Sequence, residues 1–259
     1  MKPPFSYYGG KQNLASRIVS LFPQHETYVE PFLGGGAIFW TKEKSPVEVI
    51  NDTNRELINF YQVVQQQFSA LEQEIAISLH SRDLHRRAWV TYQNPDMFSE
   101  VKRAWAVWVL ANQGFASKIS GVWGYDKKKN TMGTKIRNRR ESFTLDYAIR
   151  MQDVQIECAD ALRIIRSRDH SDAFFYCDPP YFNSDCGHYD GYSEDDFTNL
   201  LKALSSIEGK FILSSYPSNV LDQFIKEHGW QMETVEQTVS VSRRKTKLKK
   251  KTEVITRNF

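Results

Sequence analysis

Short apolar runs that end abruptly in polar or glycine-rich stretches set the rhythm of this chain. Thr27–Phe32, Val47–Asn51, Val154–Cys158 and Ala173–Cys177 are such runs, and Lys210–Ser215 is a fifth. Each reads as a strand followed by a loop. Helical spacing of apolar residues fills intervening stretches such as Asn13–Phe22 and Glu194–Leu204. Strands that alternate with helices predict a parallel sheet with covering helices. Two alternating segments, Glu233–Val241 and Thr252–Arg257, close the chain and are joined by a basic run, which predicts a hairpin. The expected sheet is therefore mostly parallel with an antiparallel finish.

The stretch from Thr53 to Arg150 is too long for a single crossover. Its first half has helical pattern, for example at Glu56–Gln67 and Val101–Asn112. Trp105 and Trp108 stand three apart there, a spacing that favours core packing over recognition. Its second half, Gly114 to Ser142, is rich in Gly, Lys, Arg and aromatic residues and reads as irregular or hairpin structure. The expected organisation is a sheet domain of residues 1–53 and 151–259 with an inserted subdomain, 54–150.

At 259 residues, with 41% hydrophobic and 25% charged, the chain has material for one large domain with a smaller insert. Met1-Lys2-Pro3-Pro4 lacks the apolar core of a signal peptide, and no run is long enough to span a bilayer. The three cysteines, Cys158, Cys177 and Cys186, form no Cys-x-x-Cys pair. The expectation is a reduced, cytoplasmic protein without a metal site or membrane contact. Net charge is only +3, but its distribution is uneven. Arg243-Arg244-Lys245-Thr246-Lys247-Leu248-Lys249-Lys250-Lys251 is a dense basic run, and a second spans Lys127-Lys128-Lys129 to Arg137, Arg139 and Arg140. A charge run alone is usually a solvated loop. Two of them, one beside Trp123 and Tyr125, point to a polyanionic partner.

Candidate chemistry concentrates at strand ends. Asp178-Pro179-Pro180-Tyr181 follows the run Ala173–Cys177 directly. Proline lacks a backbone N–H, fixes φ and pushes the preceding residue out of the helical region. The strand must stop and leave the sheet in a rigid, extended turn. That turn carries a carboxylate, carbonyl oxygens and a flat ring, a set suited to a planar amino group. A bare Pro-Pro would read as a capped strand end; Asp before it and Tyr after it reverse that reading.

A second constellation lies earlier. Glu30-Pro31-Phe32-Leu33-Gly34-Gly35-Gly36 is a strand end and a three-glycine loop before a helix. Glycine there permits positive φ and close backbone approach to a ligand. The spacing is neither Gly-x-Gly-x-x-Gly nor a phosphate loop. Asp52 ends the next strand, where a carboxylate can accept from both ribose hydroxyls. These two features alone name only a nucleoside ligand. Tyr7-Tyr8-Gly9-Gly10-Lys11 adds an amine and aromatic faces that suit a free amino acid, and Asp160 adds an acceptor for an adenine amino group. Together they point to S-adenosylmethionine.

On these motifs and their order the chain resembles the Dam-type DNA adenine-N6 methyltransferases. The resemblance implies a seven-stranded, Rossmann-like methyltransferase sheet with an inserted, mainly helical DNA-recognition subdomain. It assigns Tyr7, Lys11, Phe32, Gly34, Gly35, Gly36, Asp52 and Asp160 to the cofactor. Asp178, Pro179, Pro180 and Tyr181 would hold a flipped adenine, with Asp178 also near the methionine end of the cofactor. Asn112-Gln113-Gly114-Phe115 resembles the start of the family's recognition segment. Lys118, Tyr125, Lys127, Arg137, Arg139, Arg140, Arg243, Arg244, Lys245 and Lys247 are the expected DNA contacts. The implied partner is double-stranded DNA, bound by a monomer without metal, and the implied product is S-adenosylhomocysteine. N4-cytosine transfer, RNA adenine methylation and a non-catalytic DNA-binding role on the same fold are the rival readings. Asp at position 178 favours adenine among them.

Overall fold

A computed structural model of the chain describes residues 1–183, 191–238 and 250–259. Seven strands form one sheet: β1 (Thr27–Glu30), β2 (Val47–Asn51), β3 (Gln155–Glu157), β4 (Ala173–Cys177), β5 (Lys210–Ser215), β6 (Gln231–Thr238) and β7 (Lys250–Arg257). Their order is β3-β2-β1-β4-β5-β7-β6. Pairings β2·β3, β1·β4 and β4·β5 are parallel, whereas β7 runs antiparallel to both β5 and β6. The fold is thus the α/β, mostly parallel sheet with an antiparallel finish that the apolar runs predict.

The helices before β3 are α1 (Ala15–Val19), α2 (Ala37–Thr41), α3 (Arg55–Gln66), α4 (Phe68–Ala76), α5 (Arg82–Gln93), α6 (Glu100–Gln113), α7 (Thr131–Glu141) and α8 (Asp146–Met151). After it come α9 (Ala161–Arg168), α10 (Glu194–Leu204) and α11 (Asn219–His228). Local chemistry explains several boundaries. The Asn54 side chain accepts from Glu56 and Leu57 N–H at the start of α3. Ser193 and Asp196 form a reciprocal capping box on α10, and Gly229, in the left-handed region, ends α11. No described helix is long and apolar enough to cross a membrane.

Two compact units divide the chain. The first contains Met1–Leu21, Leu33–Lys44 and Glu48–Ala159; the second contains Phe22–Phe32, Ser45–Val47 and Asp160–Phe259. Residues 54–150 fall wholly in the first, with the glycine loop. Its core packs α3 on α6, with Phe60, Tyr61 and Trp108 fully covered and Phe5 edge-on to Phe60. Trp105 and Trp108 are core residues, as their spacing implies, and Trp105 Nε1 donates to Ser78 Oγ at 2.6 Å. In the second unit every residue of β4 is buried, and Phe174 packs on Phe22 and Tyr28.

One expectation is overturned. Gly114–Ser142 is not irregular throughout, because Thr131–Glu141 is helix α7. The reason lies in how this helix is held. It buries only Ile136, so it carries no apolar stripe. Its first turn is capped from a distance, by the Asp126 carboxylate accepting from Met132 N–H at 2.6 Å. The predicted helix Asn13–Phe22 is shorter, at Ala15–Val19.

Candidate functional site

The first unit builds the glycine loop. Gly34 and Gly36 adopt φ of 51° and 64°, in the left-handed region. Gly35 is required for a different reason: a Cβ there would lie 2.6 Å from Tyr7 Cβ. Tyr7 therefore packs directly on the loop, which joins two motifs distant in sequence. The Gly34 N–H donates to Asp52 Oδ2 at 2.8 Å, and the Gly34 carbonyl accepts from Tyr61 Oη at 2.9 Å. Asp52 Oδ1 accepts from Asn54 N–H at 2.9 Å. Both carboxylate oxygens thus hold backbone, and burial pushes the acid above its ordinary range despite those bonds. The ends of β2 and β3 are tied together by Asn51, whose amide exchanges hydrogen bonds with the Ala159 backbone at 3.0 and 2.9 Å. Lys11 is buried, and its Nζ donates to Gly9 O at 3.3 Å.

Behind this loop, Glu48 at the start of β2 receives Lys42 from the end of α2 and Arg150 from α8. Arg150 Nη2 donates to Glu48 Oε1 at 2.8 Å. Burial alone would raise the Glu48 acid, but the bonds from Arg150 and Lys42 outweigh it and hold it below the usual value. Sequence reading missed Tyr61, Asn54 and this triad. Nothing in periodicity marks Tyr61 or Arg150, since their partners Gly34 and Glu48 lie far along the chain.

The second unit builds the Asp-Pro-Pro-Tyr turn. It leaves the carboxyl end of β4, whose parallel neighbour β1 leads into Pro31 and the half-buried Phe32. Tyr181 Oη donates to Asp178 Oδ1 at 3.0 Å. Burial, then the Asp178 charge, push the Tyr181 phenol well above its ordinary range, so it remains a donor. Under the turn, Tyr176 shares a 3.0 Å hydrogen bond with Ser214, and burial raises both the Tyr176 phenol and the Cys177 thiol. The charges of Asp178 and of the buried acid Glu30 add to the rise in both groups. Tyr216, just past β5, sets its ring 4.4 Å from that of Tyr181, and Asn183 Nδ2 donates to Pro217 O at 2.9 Å. Tyr216 went unread in the sequence, although a tyrosine beside a proline at a strand end is also the setting of Tyr181. Asp160 is exposed and caps α9 by accepting from Arg163 N–H at 3.1 Å.

The basic segment before β3 separates into unlike parts. His80, Trp123 and Tyr125 form a ladder of stacked rings, with centroids 4.6 and 5.6 Å apart. The Arg82 guanidinium lies 4.7 Å from the Trp123 ring and 5.6 Å from that of Tyr125. Lys118 Nζ sits 4.6 Å over the Tyr8 ring. Lys127 is exposed. Arg139 is used internally, donating to Pro3 O at 2.7 Å and Ser6 Oγ at 3.1 Å. Arg140 donates to Ala76 O at 3.1 Å. Arg243, Arg244, Lys245 and Lys247 lie outside the described residues.

A mostly parallel seven-stranded sheet with an antiparallel last pair, and with its candidate chemistry in loops at strand ends, defines an α/β enzyme of the Rossmann-like methyltransferase class. The profile of the D12 class N6 adenine-specific DNA methyltransferases matches residues 7–241, and the chain belongs to that family. It is similar to the type II methyltransferase M1.LlaDCHI of Lactococcus lactis subsp. cremoris, 26% identical over the whole of this chain and 96% of that protein. It also resembles the DNA N-6-adenine-methyltransferase of Escherichia phage P1, 25% identical over 68% of this chain and 24% of that protein. A DNA adenine methylase of Vibrio cholerae is 25% identical over 73% of this chain and 69% of its own length. The protein is accordingly a DNA adenine methyltransferase, and its family implies S-adenosylmethionine as methyl donor and DNA as substrate.

Proposed function

We propose that the protein transfers a methyl group to N6 of an adenine flipped out of duplex DNA, at a specific sequence, with Asp178-Pro179-Pro180-Tyr181 receiving the base. The observation that carries this reading is the rigid turn at the end of β4, where a carboxylate and a tyrosine ring are held together by the 3.0 Å bond between them.

The first unit suits S-adenosylmethionine. Its glycine loop lies so close under Tyr7 that no Cβ fits at position 35, and its Asp52 carboxylate is already oriented by Gly34 and Asn54. Gly34, Gly35 and Gly36 would let backbone approach the ligand, Asp52 would accept from the ribose hydroxyls, and Tyr7, Lys11 and Phe32 would line the remainder. Asp160 would accept from the adenine amine once its exposed carboxylate turns from the α9 N-terminus. When bound, the cofactor supplies an electrophilic methyl on a positively charged sulfur.

The residues of the turn have their own tasks. N6 of adenine is a poor nucleophile because its lone pair is delocalised into the ring. Asp178 and the Pro179 carbonyl accept its two N–H bonds and favour a more tetrahedral nitrogen. As N6 gains positive charge, the Asp178 bond strengthens, which is stabilisation realised in the transition state. Asp178 need not take the proton at that moment. Tyr181 stacks on the extruded base and offsets part of an unstacking cost of about a few kcal/mol. Tyr216, packed on Tyr181, holds that ring in place. Lys118, Tyr125, Lys127, Arg137 and the run Arg243, Arg244, Lys245 and Lys247 serve the DNA strand, and residues 54–150 form the recognition region. Neutralising those last four together should weaken binding to all DNA sequences alike.

The deciding experiment is incubation with methyl-labelled S-adenosylmethionine and unmethylated DNA, followed by digestion to nucleosides. Label in N6-methyladenine, lost in Asp178→Ala, is the expected result. Label in N4-methylcytosine would overturn the assignment of the base.

A further inference from the structure

Beside the aromatic ladder lies a cavity of about 230 Å³ on the first unit. Its polar lining comes from His80, Asn130, Thr134, Arg137 and Arg140, and its apolar lining from Leu79 and Ile136. Two guanidinium groups line it and no carboxylate does. Outside the lining, the Asp126 carboxylate is engaged with Met132 N–H at the first turn of α7.

Arg140 is partly engaged within the chain. One of its terminal nitrogens donates to Ala76 O, while its Nε–H is buried without a partner among the described residues. A buried unsatisfied donor on a cation is costly and calls for an acceptor. Arg137 makes only a loose 4.0 Å approach to Glu141 and is otherwise exposed. His80 is held rather than mobile: its Nε2 meets the Gly124 carbonyl at 2.9 Å while its ring stacks on Trp123. Because a carbonyl only accepts, Nε2 carries a proton and donates. Water occupies about 30 Å³ per molecule in the liquid, so the space takes a group larger than a single ion. Two cations, a hydroxyl, an amide and two apolar side chains around one space together match one phosphate with its attached sugar.

We propose that this cavity is a seat for a backbone phosphodiester of the bound DNA, with Arg137 and Arg140 as the phosphate ligands and Leu79 and Ile136 against the deoxyribose. The inference rests on the DNA reading above and adds a position to it. A seated phosphate would set the register of the strand against the Arg82–Trp123–Tyr125 face, since phosphate contacts position a duplex and base contacts specify its sequence. Arg82 and His80, neither of them expected from the sequence, become part of the DNA surface.

The test couples one side chain to one phosphate. Dissociation constants are measured for the full chain with a labelled duplex containing its methylation site, and for a set of duplexes each carrying one neutral methylphosphonate linkage. One linkage should weaken wild-type binding roughly tenfold, and Arg137→Gln should weaken binding to the unmodified duplex by a similar factor. The two losses should not add, because they remove the same contact. Arg140→Gln, which also loses the Ala76 bond, is read in the same way beside its melting temperature. Salt-dependent binding in which every linkage effect adds to that of Arg137→Gln would overturn the phosphate seat and leave the DNA reading intact. Wild-type binding that ignores salt would overturn both.

Discussion

The glycine loop and the Asp-Pro-Pro-Tyr turn are both strand-end loops, yet they are held in opposite ways. In the loop, side chains serve the backbone: Asp52 and Tyr61 hold the N–H and carbonyl of Gly34, and Tyr7 covers Gly35. In the turn, backbone serves the side chains: two prolines remove conformational freedom so that Asp178 and Tyr181 meet at 3.0 Å. A cradle assembled from fixed backbone can receive a cofactor without rearranging. A turn that offers side chains already bonded to each other would have to exchange partners if it received the base. On the proposed reading, preorganisation would belong to the cofactor half, and the changing hydrogen bonds of the reaction to the base half.

The largest effect that follows is on turnover. Asp178→Ala should lower kcat by about a hundredfold or more while S-adenosylmethionine still binds, because a group acting on developing charge is lost. Equal losses in cofactor affinity, measured by calorimetry, would place Asp178 in the cradle instead. Gly35→Ala should do the reverse. Its Cβ would sit 2.6 Å from that of Tyr7, and the overpacking should cost about 1–3 kcal/mol with a loss of cofactor binding. An unchanged melting temperature and affinity would show that Tyr7 does not press on the loop.

Asp52→Ala should weaken cofactor binding and loosen the loop together, since Gly34 N–H loses its acceptor at a cost of about 1–3 kcal/mol. Normal affinity in that variant would remove Asp52 from the cofactor site. Tyr181→Phe should be milder, changing kcat only a few-fold, because the ring that stacks on the base is kept. A loss as deep as that of Asp178→Ala would mean that the hydroxyl itself acts in the reaction.

The smallest effect concerns the support behind the cradle. The folded Glu48 acid is held below its ordinary 4.5 by Arg150 and Lys42. Its contribution to stability is complete above the unfolded value and is lost as pH falls through the folded one. Urea midpoints should decline below about pH 4.5 in the native chain and decline less steeply there in Glu48→Gln. Parallel curves would take this triad out of the acid response.

Mostly apolar runs and punctuation by Pro, Gly and Asp marked β1, β2, β4 and β5, because a strand buried on both faces is apolar for most of its length. Val47–Asn51, Ala173–Cys177, Lys210–Ser215 and Glu194–Leu204 occupy the residues their patterns predict. The chemistry at strand ends was legible for the same reason, since each motif is local and follows a strand directly. Helix α7 was not legible, because Asp126 caps it from outside its own sequence and only Ile136 is buried. Nor was the fate of Arg139, one of a basic run in sequence but a partner of Pro3 and Ser6 in space. Local pattern determines which residues become strand, helix or turn. Whether a tyrosine touches a glycine, or an arginine faces a cavity or its own chain, depends on contacts between residues far apart in sequence, and only the tertiary structure decides those.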